Sequence, residues 1–191
     1  MKSDNSVIKE IFKDLVFNAT EIEFITSCFK KVKVKKGTIL LNAGENVNEQ
    51  YYIFEGCLRS YHIDFHGKEH TVQFGIKNWW ISDYTGFFTT EQSKMTIEVI
   101  QDATLYKISK QDKEALYKQI PKIESYFRIK LEHAFASFQK RILANLSQTA
   151  KERYRNFVKN YPNIEKKVKN YHIASYLGIT TESLSRIRKE L

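Results

Sequence analysis

The chain has 191 residues with a formal net charge of +9, and its 42% apolar and 28% charged residues are typical of a soluble globular protein. The apolar runs fall far short of the roughly 20 residues that span a bilayer, and the start MKSDNSVIKEIFKDL lacks a signal core, so we expect a cytoplasmic protein. Cys28 and Cys57 are too few for a disulfide framework or a four-cysteine iron–sulfur cluster, so we expect reduced thiols and no cofactor.

The spacing of apolar residues changes once in the first half of the sequence. Apolar residues at three- and four-residue spacing predict short helices over residues 3–30, with Thr20 as an N-cap. From Lys31 onward, β-branched and aromatic residues alternate with polar ones between glycines. This alternation predicts antiparallel strands, closed by a strand pair near Ser109, and therefore a small sandwich or barrel.

A long helix is predicted after the strands. It begins at Pro121, which suits a first helical turn, and continues with apolar residues at heptad spacing. The positions of this seam are Phe127, Leu131, Ala134, Phe138 and Ile142, and Asn145 or Leu146 continues it. This seam needs a partner surface: either it packs on the β domain of its own chain, or it pairs with the same helix of a second chain, which we favour.

Positive charge is concentrated in the C-terminal part of the chain. Residues 1–109 hold 13 Lys and Arg against 14 Asp and Glu, whereas residues 110–191 hold 18 against 8. Residues 151–167 predict a basic amphipathic helix, ended by Asn160 and Pro162. The asymmetry favours a polyanionic partner, with nucleic acid first and an anionic membrane surface second.

The last stretch, IASYLGITTESLSRIRKEL, predicts two short helices joined by a tight turn. Gly178 suits the positive φ of such a turn, and Thr180 can cap the second helix. In that second helix, the predicted buried stripe consists of Leu184, Ile187 and Leu191. Its opposite face is polar and basic, as the recognition helix of a helix-turn-helix must be to enter the major groove of DNA.

The polar side chains of this motif suit DNA recognition. Arg186 can donate two hydrogen bonds to guanine, and Glu182 can accept one from cytosine. The alternative for Arg186 is a contact to phosphate alone. The predicted DNA-binding residues are Thr181, Glu182, Ser183, Ser185, Arg186 and Lys189, with Lys169 as a phosphate contact.

The same stretch resembles the helix-turn-helix of Crp/Fnr-type transcription regulators, and the preceding ERYRNFVKNYPNIEKKV is similar to the linker helix of one subgroup. Upstream, KKGTILLNAGENVNEQYYIFEGCLRSY resembles the first half of a cyclic-nucleotide-binding β-roll. Its turn glycines are matched by Gly37, Gly44 and Gly56. The resemblance covers residues from about 20 to 191.

The resemblance implies an α+β protein with three parts. These are an N-terminal antiparallel β-roll, a cyclic-nucleotide-binding-like jelly roll, over residues 1–120, a dimerisation helix over 121–147, and a helix-turn-helix domain over 148–191. It further implies a homodimer that binds a palindromic operator in double-stranded DNA, with base contacts from Thr181, Glu182 and Arg186. RNA polymerase is a further candidate partner.

The sequence departs from cyclic-AMP-binding members where those hold the cyclic phosphate. They carry a Gly-Glu-Leu segment followed ten residues on by an Arg-Ser pair, whereas this chain has Ser82, Asp83 and Tyr84, then Ser93 and Lys94. A guanidinium fork makes two charge-assisted hydrogen bonds to a phosphodiester, but a Ser hydroxyl offers one neutral donor. We therefore expect a degenerate effector pocket that does not bind cyclic AMP, and the residues name no other effector.

Two further groups have ordinary structural interpretations. His62, His66 and His70 are four residues apart but fall in a strand-turn-strand segment, so we expect a surface hairpin rather than metal or haem ligation. The aromatic run that includes Trp79 and Trp80 is expected in the core or around a pocket for an apolar effector.

The sequence has no glycine-rich phosphate loop, nucleophile elbow or helical metal-ligand pair, so we do not expect an enzyme. The remaining alternative is an effector-binding module whose basic tail binds a membrane or a partner. Membrane binding requires a broad apolar face opposite the lysines, and the C-terminal helices show only narrow apolar stripes, so no membrane partner is expected.

Overall fold

The structure is a computed structural model that describes residues 4–162 and 164–191, so the predicted helical residue Ser3 lies outside it. The described chain forms two compact units, residues 4–60 with 74–130 and residues 61–73 with 131–191. The domain limits predicted after residues 120 and 147 stay a prediction. The start of the long helix belongs to the first unit, and a hairpin from the sheet belongs to the second.

The elements follow the predicted order of helices, strands and helices. The strands are β1 (Lys30–Val34), β2 (Ile39–Leu41), β3 (Glu49–Ile63), β4 (Glu69–Ile76), β5 (Trp80–Ile81) and β6 (Thr96–Ser109). The helices are α1 (Asp4–Ile11), α2 (Ala19–Cys28), α3 (Tyr84–Thr89), α4 (Lys110–Gln119), α5 (Pro121–Ser147), α6 (Ala150–Asn160), α7 (Asn170–Leu177) and α8 (Thr181–Lys189), with a 3₁₀ helix at Ile164–Lys166. Among the described helices, none has the length and hydropathy of a membrane span.

The strands form one antiparallel sheet in the order β1-β6-β3-β4, with β2 paired to β6 and β5 paired to β3. The predicted strand pair near Ser109 is wrong, because β6 is a single long strand. It pairs with β2 near one end and with β1 near the other. Its polar residue Asp102 does not mark a turn, since its carboxylate accepts hydrogen bonds from Lys35 Nζ at 2.8 Å and Lys36 N at 2.9 Å.

Gly56 lies within β3 rather than at a turn, and the close approach of two strands explains it. Its φ is 104°, and a Cβ there would lie 2.5 Å from Cβ of Ala103 and 2.7 Å from the carbonyl oxygen of Asp102. Both residues belong to β6. Only glycine therefore lets β3 cross β6 at this distance.

The first unit has two apolar clusters. One joins α1, α2, α4 and the start of α5, and includes Phe12, Ile25, Leu116 and Phe127. The second fills the inside of the sheet with residues such as Leu58. In the first cluster, the ring of Phe12 packs edge-to-face on its neighbours, which adds about 0.5–1.5 kcal/mol per ring pair to the area that it buries.

The predicted cap of α2 is wrong by two residues. Asn18 caps the helix, since its side chain accepts a hydrogen bond from Glu21 N at 2.9 Å, and the Glu21 carboxylate accepts one from Asn18 N at 2.8 Å. This reciprocal capping box starts the helix at Ala19, so Thr20 already lies inside it.

Candidate nucleic-acid interface

The helix-turn-helix of the second unit is confirmed at the residues predicted for it. Gly178 follows α7 with φ 67° and ψ 34°, and its N–H donates to the carbonyls of the last turn of that helix. A Cβ at this position would meet no atom within 4 Å. The left-handed backbone, rather than lack of space, is therefore what requires glycine.

Local hydrogen bonds and apolar contacts fix the start and the buried side of α8. Thr180 Oγ1 accepts from Ser183 N at 3.2 Å, so Ser183, a predicted DNA contact, takes part in the N-cap. Leu184 and Ile187 are buried, as predicted. The prediction for Leu191 is wrong: its side chain is exposed because α8 ends at Lys189 and the stripe does not continue.

The polar face of α8 forms one shallow concave surface on the second unit. It is lined by Thr181, Glu182, Ser185, Arg186 and Lys189. The pKa of the Glu182 carboxyl is lowered by hydrogen bonds from its own backbone N–H and from the hydroxyls of Thr180 and Thr181. At neutral pH Glu182 is therefore a charged acceptor beside exposed cationic donors.

Lys169 lies at the N-cap position of α7, where its side chain is exposed. Its Nζ is 5.6 Å from the ring centroid of Tyr171, which is itself half exposed. This places a mobile cation beside the helix-turn-helix, where a point charge suits a phosphate contact.

Arg188 is the basic residue of α8 whose partners the sequence did not indicate. Its guanidinium donates to Glu165 Oε1 at 3.0 Å, to Asn170 Oδ1 at 2.5 Å and to the Tyr154 hydroxyl at 3.0 Å. Each partner lies on a different element, and the partners are 18 to 34 residues away in sequence. A one-dimensional helical pattern does not show such contacts.

The hairpin at residues 61–73 packs on α7 within the second unit. Ser175 Oγ accepts from Thr71 N at 2.8 Å and donates to the carbonyl of Glu69 at 2.7 Å. The Arg141 guanidinium donates to the carbonyl of Val72. The backbone edge of the hairpin thus helps to hold the first helix of the motif.

The three histidines lie in this hairpin, as predicted. His70 Nε2 is 2.7 Å from Asp64 Oδ2, and the turn between the strands includes His66. Within the described residues, no group of His, Cys, Asp and Glu side chains is arranged to hold a metal ion.

In the first unit, the predicted effector residues meet around a buried carboxylate. Asp83 Oδ2 accepts hydrogen bonds from Ser93 Oγ at 2.8 Å and from Lys94 N at 3.1 Å. Asp83 Oδ1 accepts from Thr85 N at 3.0 Å and from Gly86 N at 3.4 Å, at the start of α3. The Ser93 hydroxyl, predicted to lie where a cyclic phosphate would bind, thus donates to a side chain of the unit itself.

The neighbouring predicted residues are also bonded within the unit. Ser82 Oγ donates to the carbonyl of Glu49 at 2.9 Å, and the Tyr84 hydroxyl accepts from Gln50 Nε2 at 3.1 Å. Burial raises the pKa of Tyr84 to about 12, so its hydroxyl stays protonated near neutral pH. Lys94 is brought to the site by its backbone, and its side chain is exposed.

A buried lysine, which the sequence did not indicate, bonds to the same glutamine as Tyr84. Lys113 Nζ donates to Gln50 Oε1 at 2.7 Å and lies 4.2 Å from the ring centroid of Phe127, with the rings of Phe87, Phe88 and Tyr117 within 5.8 Å. Burial lowers its pKa to about 8. The predicted aromatic run contributes to this packing: Trp80 lies 5.0 Å from Phe127, centroid to centroid.

The predicted seam of α5 divides into residues of different exposure. Phe127 is 2% exposed in the core of the first unit, so it does not belong to a free helix face. Leu131, Ala134 and Phe138 are partly buried, and Ile142 is exposed. Leu146, at the end of the predicted seam, is exposed as well, and the heptad assignment missed the exposed apolar residues Ile129, Phe135 and Leu143.

The chain is similar in sequence to known regulators. Residues 31–120 match the cyclic nucleotide-binding domain family. The chain is 23% identical to the anaerobic regulatory protein of Haemophilus influenzae, over 94% of this chain and 74% of that protein. It is 22% identical to the fumarate and nitrate reduction regulatory protein of Vibrio cholerae, over 94% of this chain and 76% of that protein.

Solved structures share its fold. A regulator assigned to the Crp/Fnr family, from Eubacterium rectale, matches with a TM-score of 0.71 and 22% identity, over 94% of this chain and 85% of that one. FixK2 from Bradyrhizobium japonicum matches with a TM-score of 0.76 and 17% identity, over 85% of this chain and 84% of that one. The predicted combination of an antiparallel β-roll and a C-terminal helical region is thereby confirmed.

Proposed function

We propose that this chain is a transcriptional regulator of the Crp/Fnr type that binds DNA as a homodimer and reads base edges with α8. The observation that supports the proposal most is the exposed face of α8. Thr181, Glu182 and Arg186 line one surface that holds a guanidinium donor, a carboxylate acceptor and a hydroxyl. These groups match the hydrogen-bonding edges of bases in a major groove.

The charges on this face favour a nucleic acid over other ligands. In the part of the chain that the structure describes, Arg186 and Lys189 form no ion pair, so their charges are available to a polyanion. Lys169 adds a third cation near the motif. Phosphate contacts of this kind give affinity that falls steeply with salt, while base contacts give selectivity.

The exposed apolar stripe of α5 supports a homodimer. Phe135 is 72% exposed and Leu146 is 79% exposed, and the exposed Ile142 lies seven residues after Phe135 and four before Leu146. Such a stripe on a long helix is stable in water only when it is covered, and the same stripe on a second chain is self-complementary to it. A dimer with two-fold symmetry would read an inverted repeat.

We propose that this regulator does not use cyclic AMP. The carboxylate of Asp83 occupies the donors of Ser93, Lys94 and the start of α3, so a cyclic phosphate would meet a like charge there. At position 93 the chain has a serine, whose hydroxyl does not supply the guanidinium fork that a phosphodiester prefers.

The alternative of a basic membrane-binding tail is less well supported. The apolar residues of α6 and α8, such as Phe157 and Ile187, are buried within the second unit. They leave no broad apolar face that could enter a bilayer. The relatives are regulatory proteins, which argues against an enzyme as well.

The proposal is tested by equilibrium binding of the full chain to a fluorescent pool of random duplex DNA at several salt concentrations, with anionic lipid vesicles as the competing target. We expect saturable DNA binding. The logarithm of the association constant should fall linearly with the logarithm of the salt concentration. Binding to vesicles without binding to DNA would support the membrane alternative and overturn the proposal.

A further inference from the structure

We infer that Arg188 is a positioning residue, which fixes the angle of α8 through contacts within its own domain and does not bind DNA. The inference rests on the proposed function, because it assigns a role within the same DNA-reading helix. Arg188 lies two residues after Arg186, so their side chains point about 200° apart around the helix. The exposed face of α8 and the side that holds Arg188 are thus different.

The guanidinium joins three elements that carry α8. Its partners are Tyr154 on α6, Glu165 on the 3₁₀ helix and Asn170 at the start of α7. Tyr154 also donates its hydroxyl hydrogen to Glu165, and its ring lies 5.6 Å from the guanidinium carbon. A planar guanidinium, with five donors in a fixed fork, can satisfy all three partners at once.

The electrostatics of the cluster also argue against a DNA contact. The Glu165 carboxylate compensates the charge of Arg188, and the two side chains are only 26% and 32% exposed. To bind a phosphate, Arg188 would have to leave three partners and expose that carboxylate to the DNA backbone. Arg186 can bind DNA without such a loss, because it has no partner of this kind in the described chain.

The chain offers a matched control for this cluster. Lys151 and Glu190 form another ion pair between α6 and the end of α8, at 3.1 Å, with side chains 37% and 50% exposed. An exposed single pair contributes little to rigidity. Glu190→Gln therefore removes the same charge from the domain as Glu165→Gln without opening the Arg188 cluster.

The test measures DNA affinity of Arg188→Gln, Glu165→Gln and Glu190→Gln in the full chain, on the sequence that wild type selects, at several salt concentrations. A positioning role predicts that Arg188→Gln and Glu165→Gln each weaken binding about tenfold, the loss of roughly one charge-assisted hydrogen bond. It also predicts that the selected sequence and the salt slope stay as in wild type. Glu190→Gln should bind as tightly as wild type or slightly tighter, since it removes a negative charge.

The decisive variant is Glu165→Gln, because it retains the side-chain shape and favours DNA electrostatically. If it binds like Glu190→Gln while Arg188→Gln lowers the salt slope by about 1, Arg188 contacts phosphate and the inference is wrong. Active fractions, titrated at saturating DNA, separate weaker binding from loss of folded protein, and Glu165→Gln still decides the question if Arg188→Gln does not fold. A wild type that selects no sequence would instead refute the proposed function.

Discussion

The carboxylate of Asp83 accepts hydrogen bonds from two backbone segments and one hydroxyl, all within the first unit. In a protein that binds a cyclic phosphate, such donors would face the ligand. Here the same donors bond to a side chain of the first unit itself. The sequence predicted the loss of the ligand donor at Ser93, but the internal use of Asp83 became visible only with the three-dimensional contacts.

We therefore predict that cyclic AMP does not bind. Titration calorimetry with cyclic AMP up to about 1 mM should give no saturable heat, either for wild type or for Asp83→Asn, since removal of the charge does not supply a guanidinium. A micromolar dissociation constant for wild type would mean that other donors hold the phosphate and that the account of Asp83 is wrong.

The buried amine of Lys113 makes the stability of the first unit depend on pH. Its pKa is about 8 in the folded chain, below the ordinary value of 10.5, because burial removes water from the ammonium group. Below pH 8 both folded and unfolded chains hold the proton, and the folded state carries the full cost of the buried charge. Between pH 8 and 10.5 the unfolded chain binds more protons, so this residue makes the free energy of unfolding rise with pH.

The prediction is that Lys113→Met stabilises the first unit at pH 7 by about 1–3 kcal/mol, since it replaces a buried charge by an apolar chain of similar volume. This advantage over wild type should shrink as the pH rises from 8 to 10. Chemical denaturation at pH 7 and pH 9.5 measures it. An advantage that does not change with pH would show that burial does not lower the pKa of Lys113 in the folded chain.

At the scale of elements, sequence patterns with a local physical cause were reliable. Pro121 begins α5, Gly178 ends α7 and Thr180 caps α8, each as predicted, because such signals depend on backbone geometry at one position.

Contacts between residues far apart in sequence determined the features that the sequence did not predict. Phe127 follows the heptad spacing yet lies in the core, since α1, α2 and α4 pack on it. The single strand β6 and the cap at Asn18 were likewise set by partners that a periodic pattern does not reveal.

The turn of the helix-turn-helix gives a prediction for Gly178. Gly178→Ala should destabilise the second unit by about 1–2 kcal/mol, because alanine disfavours φ 67° even where nothing obstructs its methyl group. Gly178→Asn should cost less, since asparagine tolerates the left-handed region. Thermal unfolding of both variants measures the difference, and equal losses would indicate steric rather than conformational strain.

The exposed stripe of α5 gives a prediction for the proposed dimer. Phe135→Glu combined with Leu146→Glu would bury two charges in a helix interface, so the dissociation constant of the dimer should rise about a hundredfold or more. Ser137→Glu, on an exposed face of the same helix outside the stripe, is the control and should leave the dimer intact. Sedimentation velocity distinguishes the two, and a double variant that still sediments as a dimer would exclude this interface.

At the scale of the whole molecule, we propose a dimeric regulator that combines a β-roll, a helix with an exposed apolar stripe and a DNA-binding motif. The concentration of positive charge after residue 109 predicted a polyanionic partner for the C-terminal part. The structure adds that the cations of α8 divide by role. Arg186 and Lys189 lie on the exposed face, while Arg188 is held within the domain. We therefore propose that, of these three residues, only Arg186 and Lys189 bind DNA.

The most direct test is selection of binding sites from random duplex DNA, followed by sequencing, for wild type, Arg186→Ala and Lys169→Ala. Wild type should select an inverted repeat with half-sites one DNA turn apart. Arg186→Ala should lose selection at one guanine of each half-site, at a cost of about 1–3 kcal/mol, while Lys169→Ala should weaken all sequences alike and keep the same site. An unchanged site for Arg186→Ala would contradict base reading by α8.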